Sequence, residues 1–350
     1  MFLIFGLSFC VKRYSLIPLP GDHLRLVESN RLTIAYKQEL NESQYDAVTS
    51  VDGPHLILAG AGTGKTRTIV YRVAYLVELG VRPQAILLLT FTRKAAREML
   101  RRAAILLDNR CEQVSGGTFH SFANSFLRTY ANLLGYQRNF TILDQSDAED
   151  VVNLVRTKLK LDTREKRFPR KETLYDISSK TLNTLTSPEE IIAADYPQVL
   201  EQTQDILAVI AAYGVYKREN NLMDYDDLLI HTARILEEHG EVRRSVNAKH
   251  PYVMVDEYQD TNRVQAKLVQ LLAGERRNVM VVGDDAQCIY SFRGSSIRNI
   301  LAFPEEFPGC KVVKIEENYR STQPILTLAN LVLRGAPLAP PAETTQEPSA

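Results

Sequence analysis

Short apolar runs alternate with longer amphipathic segments along most of this chain. From residue 65 to 80 the apolar side chains recur every three or four positions, which is typical of a helix that buries one face. An Ala- and Arg-rich helix is predicted from Lys94 to about Leu107. Runs of mostly apolar residues predict buried strands at 56–58, 85–89, 252–255 and 278–282. Strand–helix alternation with strands that are apolar on both faces predicts a parallel α/β sheet with helices on both faces.

The middle of the chain departs from this alternation, because the segment from about 145 to 225 is more polar and mostly helical in pattern. It predicts a helical subdomain, 131–225, inserted into a core made of 33–130 and 226–315. Residues 1–32 form an N-terminal extension in this scheme. Residues 335–350 are rich in Pro, Ala, Thr and Glu, a composition that predicts a disordered tail.

Composition indicates a globular protein of two or three domains, with 350 residues, 45% of them apolar and 24% charged. Lys plus Arg and Asp plus Glu both number 42, so a nucleic-acid partner would need a local basic surface. The four cysteines lie far apart, which argues against a zinc ribbon or a disulfide framework. We therefore expect a cytoplasmic protein.

The first eleven residues are almost wholly apolar and are followed by Lys12 and Arg13. The run is too short to span a bilayer, and a secretory signal would carry its positive charge before the apolar run. A buried β-segment or a misplaced start codon is the preferred interpretation, with a signal or anchor as the alternative.

A glycine-rich turn follows the apolar run 56–58 and opens the first amphipathic helix. Glycines let successive backbone N–H groups point at an anion, and the helix adds its positive N-terminal end. A lysine at the end of such a turn reaches the β- and γ-phosphates, and the hydroxyl after it holds Mg²⁺. The alternative is a turn that only caps a strand. The predicted nucleotide-binding residues are Gly60, Ala61, Gly62, Thr63, Gly64, Lys65 and Thr66.

Two acidic residues follow the apolar run 252–255. Asp256 is predicted to hold Mg²⁺, and Glu257 is predicted to orient and deprotonate the attacking water. An isolated Asp-Glu pair is more often a solvated turn. The position of this pair, after a buried strand and 191 residues beyond Lys65, favours the catalytic interpretation.

The next strand leads into a third group of polar and aromatic residues. Gln287, near the strand end, can contact the γ-phosphate and so distinguish ATP from ADP. Tyr290, Phe292 and Arg293 suit stacking on unpaired bases and pairing with phosphate. Packing of these aromatic side chains in the core is the alternative.

Together these motifs resemble those of superfamily 1 DNA helicases of the UvrD/Rep/PcrA type, over about residues 33 to 334. Residues 40–48 are similar to the adenine-reading Q motif, 90–96 and 117–121 to two DNA-contact motifs, and 224–229 to the acidic-aromatic segment that closes the helical insertion. Residues 256–260 match the family's D-E-x-Q-D form, 283–294 its coupling motif, and 318–321 the start of its second core. The chain departs from the usual pattern at Ala59, Arg93 and Phe292, where Gly, Asn and Trp are common.

The resemblance implies a P-loop NTPase with a RecA-like sheet that uses ATP and Mg²⁺ to move 3′-to-5′ on single-stranded DNA. It implies that Gln44, Arg67 and Tyr319 bind adenine and that Arg320 meets the γ-phosphate. It also assigns Phe91, Arg93, Lys94, His120, Tyr290, Phe292 and Arg293 to DNA.

The family's later motifs do not follow residue 334, so we expect 316–334 to be the truncated start of a second core. The chain would then need a separate second core, or self-association, to act at duplex junctions. One alternative is an ATP- and single-strand-binding module without unwinding activity. Two weaker alternatives are a RecB/AddA-type helicase–nuclease, which would need a C-terminal nuclease domain, and a P-loop kinase.

Overall fold

The structure is a computed structural model that describes residues 14–18, 24–28, 32–161, 168–287 and 297–335, the first two as backbone only. The apolar N-terminal run, the tail after residue 335, and Tyr290, Phe292 and Arg293 lie outside the described residues.

The centre of the fold is a parallel sheet of six strands in the order β10-β3-β9-β8-β4-β5. An antiparallel pair, β1 and β2, precedes it, and a short parallel pair, β6 and β7, lies beside it. The strands are β1 (Tyr14–Pro18), β2 (Leu24–Glu28), β3 (His55–Ala59), β4 (Ile86–Thr90), β5 (Ser115–Thr118), β6 (Thr141–Ile142), β7 (Leu222–Met223), β8 (Tyr252–Val255), β9 (Val279–Gly283) and β10 (Lys311–Ile315).

Several helices begin with a side chain that caps the free N–H groups of the first turn. Thr92 and Thr118 accept from the N–H groups of Ala95 and Ser121, and capping boxes open the helices after Asp224 and Asn262. The helices are α1 (Tyr36–Glu39), α2 (Glu42–Thr49), α3 (Lys65–Glu78), α4 (Arg93–Leu106), α5 (Phe119–Tyr130), α6 (Gln145–Lys158), α7 (Lys171–Thr184), α8 (Pro188–Asp195), α9 (Thr203–Glu219), α10 (Tyr225–Glu238), α11 (Gly240–Lys249), α12 (Arg263–Ala273), α13 (Ile297–Glu306) and α14 (Gln323–Gly335).

Alternate residues of the central strands enter two different cores. Leu87, Leu89 and Val253 pack with α5, α10 and α12, whereas Leu88 and Met254 pack with α2, α3 and α4. This alternation is the period of two that a β-strand imposes, and it explains why the strands are apolar throughout. The predicted α/β fold with helices on both faces is confirmed.

Helices α6 to α9 form a third apolar cluster of their own. The chain leaves the core at β6 and returns at β7, and these two strands pair with each other. Where the chain returns, Lys217 lies 2.6 Å from both Asp224 and Asp227, and all three side chains are buried. The insertion is therefore joined to α10 by a buried charged cluster.

Among the described residues, no helix is both long enough and apolar enough to cross a bilayer.

Candidate nucleotide-binding site

The glycine-rich turn lies at the carboxyl edge of the sheet, between β3 and α3. Gly62 and Gly64 have φ values of +82° and +95°, which L side chains rarely adopt. The Thr63 hydroxyl donates to the Gly60 carbonyl at 2.8 Å and closes the turn. The helix that starts at Lys65 directs its free N–H groups into this loop, which makes an anion-binding cradle.

Helix α2 supports the turn from one side. Its N-cap, Asn41, accepts from the Gln44 N–H at 2.8 Å, and the buried Gln44 amide donates to the Thr63 carbonyl at 3.0 Å. Gln44 thus lies against the loop, as the adenine-reading assignment requires, and its role toward adenine stays a prediction. Arg67, also assigned to adenine, donates to the Glu39 carbonyl at 2.7 Å and lies 4.8 Å from the centre of the Tyr71 ring.

The predicted catalytic carboxylate lies beside the predicted phosphate-binding lysine. The Glu257 carboxylate accepts from Lys65 Nζ at 3.1 Å and from the Gln259 amide at 2.7 Å, on the same oxygen. Glu257 has φ +52°, a left-handed conformation that costs a non-glycine residue about 1–3 kcal/mol. Such strain is concentrated at functional sites, where surrounding contacts maintain it.

Asp256 is the residue best suited to a metal. Its side chain is buried and one carboxylate oxygen, Oδ1, has no hydrogen-bond partner. Burial, reinforced by the charge of Glu257, raises the pKa of Asp256 to about 7, and Lys65 opposes this effect. An orphaned buried carboxylate oxygen fits a divalent cation, which would supply the missing partner.

Thr66 lines the same cleft as Asp256, so the structure brings the two predicted Mg²⁺ residues together. No group of three or more His, Cys, Asp or Glu in the described parts of the chain could hold a metal. A single carboxylate and a hydroxyl are the protein ligands expected where Mg²⁺ is completed by phosphate and water.

A hydrogen-bonded path joins Glu257 to the predicted sensor, Gln287. The amide of Gln259 donates to Glu257, and its oxygen accepts from the Asp284 N–H at 3.0 Å. The Asp284 carboxylate accepts in turn from the Gln287 amide at 2.6 Å. The path runs from the end of β8 to the end of β9, which are neighbours in the sheet.

The segment after β10 contacts the glycine-rich turn directly. Asn318 donates through its amide to the Ala61 carbonyl at 2.6 Å, and the Tyr319 N–H donates to the Gly62 carbonyl at 2.9 Å. The Asn318 oxygen accepts from the N–H of Arg320 at 3.0 Å, which fixes the backbone of that residue beside the loop. The predicted γ-phosphate residue therefore stands at the phosphate loop.

The ring of Tyr319 is 63% exposed and its hydroxyl is held at one end. Asn41 donates to this hydroxyl at 2.9 Å, and the hydroxyl donates to Glu317. The ring is thus available on its faces, which adenine stacking would need.

The cleft between these elements measures about 650 Å³. Its lining joins predicted residues of the phosphate loop, the acidic pair, the sensor and the segment after β10: Thr66, Asp256, Glu257, Gln287 and Arg320.

The predicted DNA-contact residues that the structure describes lie next to this cleft. Phe91 is 41% exposed and lines both the cleft and a cavity of about 510 Å³ shared by His120 and the insertion. His120 meets Tyr225 edge to face at 5.8 Å, and burial lowers its pKa. Arg93 and Lys94 are exposed at the start of α4, and Arg93 donates to Ser121 at 3.1 Å.

Sequence reasoning missed the supporting roles of Asn41, Gln259, Asp284 and Asn318. Each lies inside or beside a recognised motif, but its partner is set by the fold. Asn41 and Tyr319, for example, are 278 residues apart. The local signal that could have been used is the capping position of Asn41, since Asn is a preferred N-cap residue.

The fold and the site define a P-loop nucleotide-binding domain with a parallel sheet and an acidic pair after a neighbouring strand. Residues 40–308 match the UvrD/REP helicase N-terminal domain, and the chain belongs to this family.

Two curated relatives are described as "ATP-dependent DNA helicase PcrA". One is from Staphylococcus aureus (strain Mu50) and the other from Staphylococcus epidermidis (strain ATCC 12228), and each is 40% identical to this chain over 303 residues. The matched region covers 86% of this chain and 40% of each relative, so the chain spans well under half of their length. The resemblance to UvrD/Rep/PcrA helicases is therefore confirmed.

Proposed function

We propose that this chain is the nucleotide-binding half of an ATP-dependent motor that moves on single-stranded DNA. The observation that carries the proposal is the cleft lined by Thr66, Asp256, Glu257, Gln287 and Arg320, with Lys65 paired to Glu257 beside it. These side chains supply the functions that phosphoryl transfer needs: a phosphate cradle, a metal ligand, a base and a charge that stabilises the transition state.

Lys65 links nucleotide binding to activation of the base. Its ammonium group pairs with Glu257 at 3.1 Å, and the phosphates of ATP would compete for that ammonium group. As Lys65 turns toward phosphate, Glu257 becomes free to accept the proton of the attacking water. Mg²⁺, when bound at Thr66 and Asp256, would neutralise phosphate charge.

Phe91 supports coupling of this chemistry to DNA, because its ring lines the ATP cleft and the adjoining cavity at once. Phe91 and His120 would stack on bases of one strand, and Arg93 and Lys94 would hold its phosphates. Stacking tolerates every base, which suits a motor that moves over any sequence. The 3′-to-5′ direction rests on the family resemblance.

The test is ATP hydrolysis by the purified chain with and without single-stranded DNA. Lys65→Ala should abolish ATP binding, whereas Glu257→Gln should bind ATP and lose turnover by about 10²- to 10⁴-fold. Lys267→Ala, which removes a partly exposed lysine paired with Glu237, is the control. Normal turnover by Glu257→Gln would refute the catalytic assignment.

A second candidate is an ATP- and DNA-binding module that depends on a separate second core or on self-association. The exposure of Ile325, Leu328 and Leu331 on α14, each 58–64% exposed, favours it. ATP binding without DNA-stimulated turnover in the same assay would support this candidate over an independent motor.

A further inference from the structure

A hydrogen bond between two asparagines joins the helical insertion to the loop that carries Glu257. This loop (residues 257–262, the acidic loop) lies between β8 and α12. Asn262, its last residue, donates through its side-chain amide to the Asn183 side-chain oxygen at 2.6 Å. Asn183 lies in the last turn of α7, in the insertion. This pair (the asparagine bridge) therefore connects two parts of the fold that are 79 residues apart in sequence.

Each asparagine of the bridge is also held by partners on its own side. Asn262 is 8% exposed, and its side-chain oxygen accepts from the Gln265 N–H at 2.9 Å in the capping box of α12. Asn183 donates to the Asp226 carboxylate at 2.8 Å and to the Ser179 carbonyl at 2.9 Å. Both amide planes are thus fixed, so the insertion and the acidic loop cannot move apart without loss of hydrogen bonds.

The acidic loop needs such support because its first residue is strained. Glu257 has φ +52°, a conformation that persists in a non-glycine residue only when surrounding contacts maintain it. Within the loop the Asp260 N–H donates to the Glu257 carbonyl at 2.9 Å, and the Thr261 N–H donates to the Tyr258 carbonyl at 3.1 Å. These bonds make the loop one compact turn, so displacement of Asn262 would displace the backbone that orients the Glu257 carboxylate.

The asparagine bridge lines the cavity of about 510 Å³ that Phe91 and His120 share with the insertion. The Asn262 amide donates one hydrogen bond and the Asn183 oxygen accepts one, so each can make one more. A free donor beside a free acceptor is complementary to the hydrogen-bonding edge of a nucleobase. Phe91, in the same cavity, offers a ring on which that nucleobase could stack.

We propose that the asparagine bridge positions the acidic loop and couples a nucleobase in this cavity to the orientation of Glu257. The inference rests on the proposed function, because it takes Phe91 and His120 as DNA contacts and Glu257 as the catalytic base. A nucleobase hydrogen-bonded to the bridge holds it closed and fixes the loop. Without DNA the bridge opens more often, and Glu257 spends less time in the arrangement that activates water.

The test removes the bridge from each side in turn. Asn183→Ala deletes the acceptor in the insertion. Asn262→Ser keeps an oxygen that can cap α12, since serine and asparagine are comparable N-cap residues, but its side chain is too short to reach Asn183. The double variant Asn183→Ala/Asn262→Ser completes the cycle. The matched control is Asn220→Ala, which removes an exposed amide of the same insertion that donates to the Tyr216 carbonyl at 2.9 Å.

Hydrogen exchange at the Asp260 and Thr261 amides is the first measurement, because it needs no turnover. Without DNA, both single variants should exchange about 2- to 12-fold faster than wild type and Asn220→Ala, the factor expected from one lost hydrogen bond. A saturating single-stranded oligonucleotide of mixed sequence should slow exchange in wild type and leave it unchanged in the bridge variants. The double variant should match the single variants, because one contact is lost in all three.

Steady-state ATP hydrolysis at saturating oligonucleotide is the second measurement. In the bridge variants kcat should fall by about 2- to 12-fold while KM for ATP stays unchanged, since the phosphate loop keeps its contacts. Thermal unfolding verifies the fold. A contact that only stabilised the fold would lower the melting temperature without removing the effect of DNA on exchange.

Wild-type exchange in the DNA-free Asn183→Ala and Asn262→Ser variants would overturn the inference. A wild-type response of these variants to the oligonucleotide, or additive effects in the double variant, would overturn it as well. Failure of the proposed function has a different signature. If no variant hydrolysed ATP, wild type included, while exchange still responded to DNA through the bridge, the motor proposal alone would fail. A wild-type chain that did not bind the oligonucleotide would overturn both.

Discussion

Replacing Gly62 by alanine should release the segment after β10 from the phosphate loop. A Cβ at Gly62 would lie 2.6 Å from the Arg320 Cβ, closer than such atoms approach in folded proteins, and 3.0 Å from the Asn318 amide, which is tighter than most Cβ contacts. Since Arg320 meets Gly62 through its Cβ rather than through a flexible side-chain end, residues 318–320 must shift as a unit. The shift breaks the hydrogen bonds from Asn318 to Ala61 and from Tyr319 to Gly62.

The magnitude follows from these two bonds. Each contributes about 0.5–1.5 kcal/mol, so the docked segment loses about 1–3 kcal/mol. That corresponds to about a 5- to 150-fold shift toward the undocked arrangement. Alanine at φ +82° adds about 1 kcal/mol of backbone strain, which acts on global stability.

Gly53→Ala is the control that separates the effect of backbone strain from the effect of steric crowding by the added Cβ. Gly53 has the same φ, +82°, but a Cβ there would meet no atom within 4 Å. Both variants should lose about 1 kcal/mol of stability to strain. Only Gly62→Ala should also speed hydrogen exchange at the Tyr319 amide, by about 5- to 150-fold. Wild-type protection of this amide in Gly62→Ala would refute the reasoning.

Three further predictions test other parts of the site and the insertion. The pKa of Asp256 is raised to about 7 in the folded chain, so the folded state binds its proton more tightly than the unfolded state does. The resulting contribution to the free energy of unfolding is fully present below about pH 4 and is lost as pH rises through 7. Affinity for Mg²⁺, measured by titration with ATP present, should accordingly rise about tenfold from pH 6 to pH 8, and Asp256→Asn should flatten both profiles. Gln44→Ala should weaken ATP binding by about 2- to 12-fold through loss of its hydrogen bond to Thr63. Competition with tripolyphosphate, which has the phosphates of ATP but no adenine, shows whether adenine recognition is lost as well. Lys217→Met should cost about 3–5 kcal/mol in urea unfolding because it leaves two buried aspartates uncompensated. Lys267→Met, at a partly exposed lysine paired with Glu237, should cost less than about 1 kcal/mol.

The sequence predicts those parts of the site in which a short motif is enough to determine the local backbone conformation. The glycines before Lys65 and the acidic pair after β8 follow this rule, since each directly follows a strand whose apolar run is visible. In a parallel sheet the carboxyl ends of strands meet at one edge, so Lys65 and Glu257 could be expected to approach. Their 3.1 Å contact agrees with that expectation.

Contacts between distant motifs could not be predicted in the same way. Asn318 and Ala61 are 257 residues apart, and no spacing or periodicity relates them. Their contact depends on β10 pairing with β3, which places the residue after one strand beside the loop after the other. Strand order is a property of the whole sheet, so the supporting asparagines become recognisable only when the fold is known.

The backbone carbonyl groups of the phosphate loop accept hydrogen bonds from segments distant in sequence, and these bonds give those segments a route by which to influence nucleotide binding. The consecutive carbonyls of Ala61, Gly62 and Thr63 accept from Asn318, Tyr319 and Gln44. A peptide plane whose oxygen is held on one side directs the N–H of the next residue to the other, where an anion would lie. Movement of the segment after β10 would therefore rotate the peptide groups that we propose to bind phosphate. The same hydrogen bonds that place Arg320 beside the loop would thus couple its position to the loop's affinity for nucleotide.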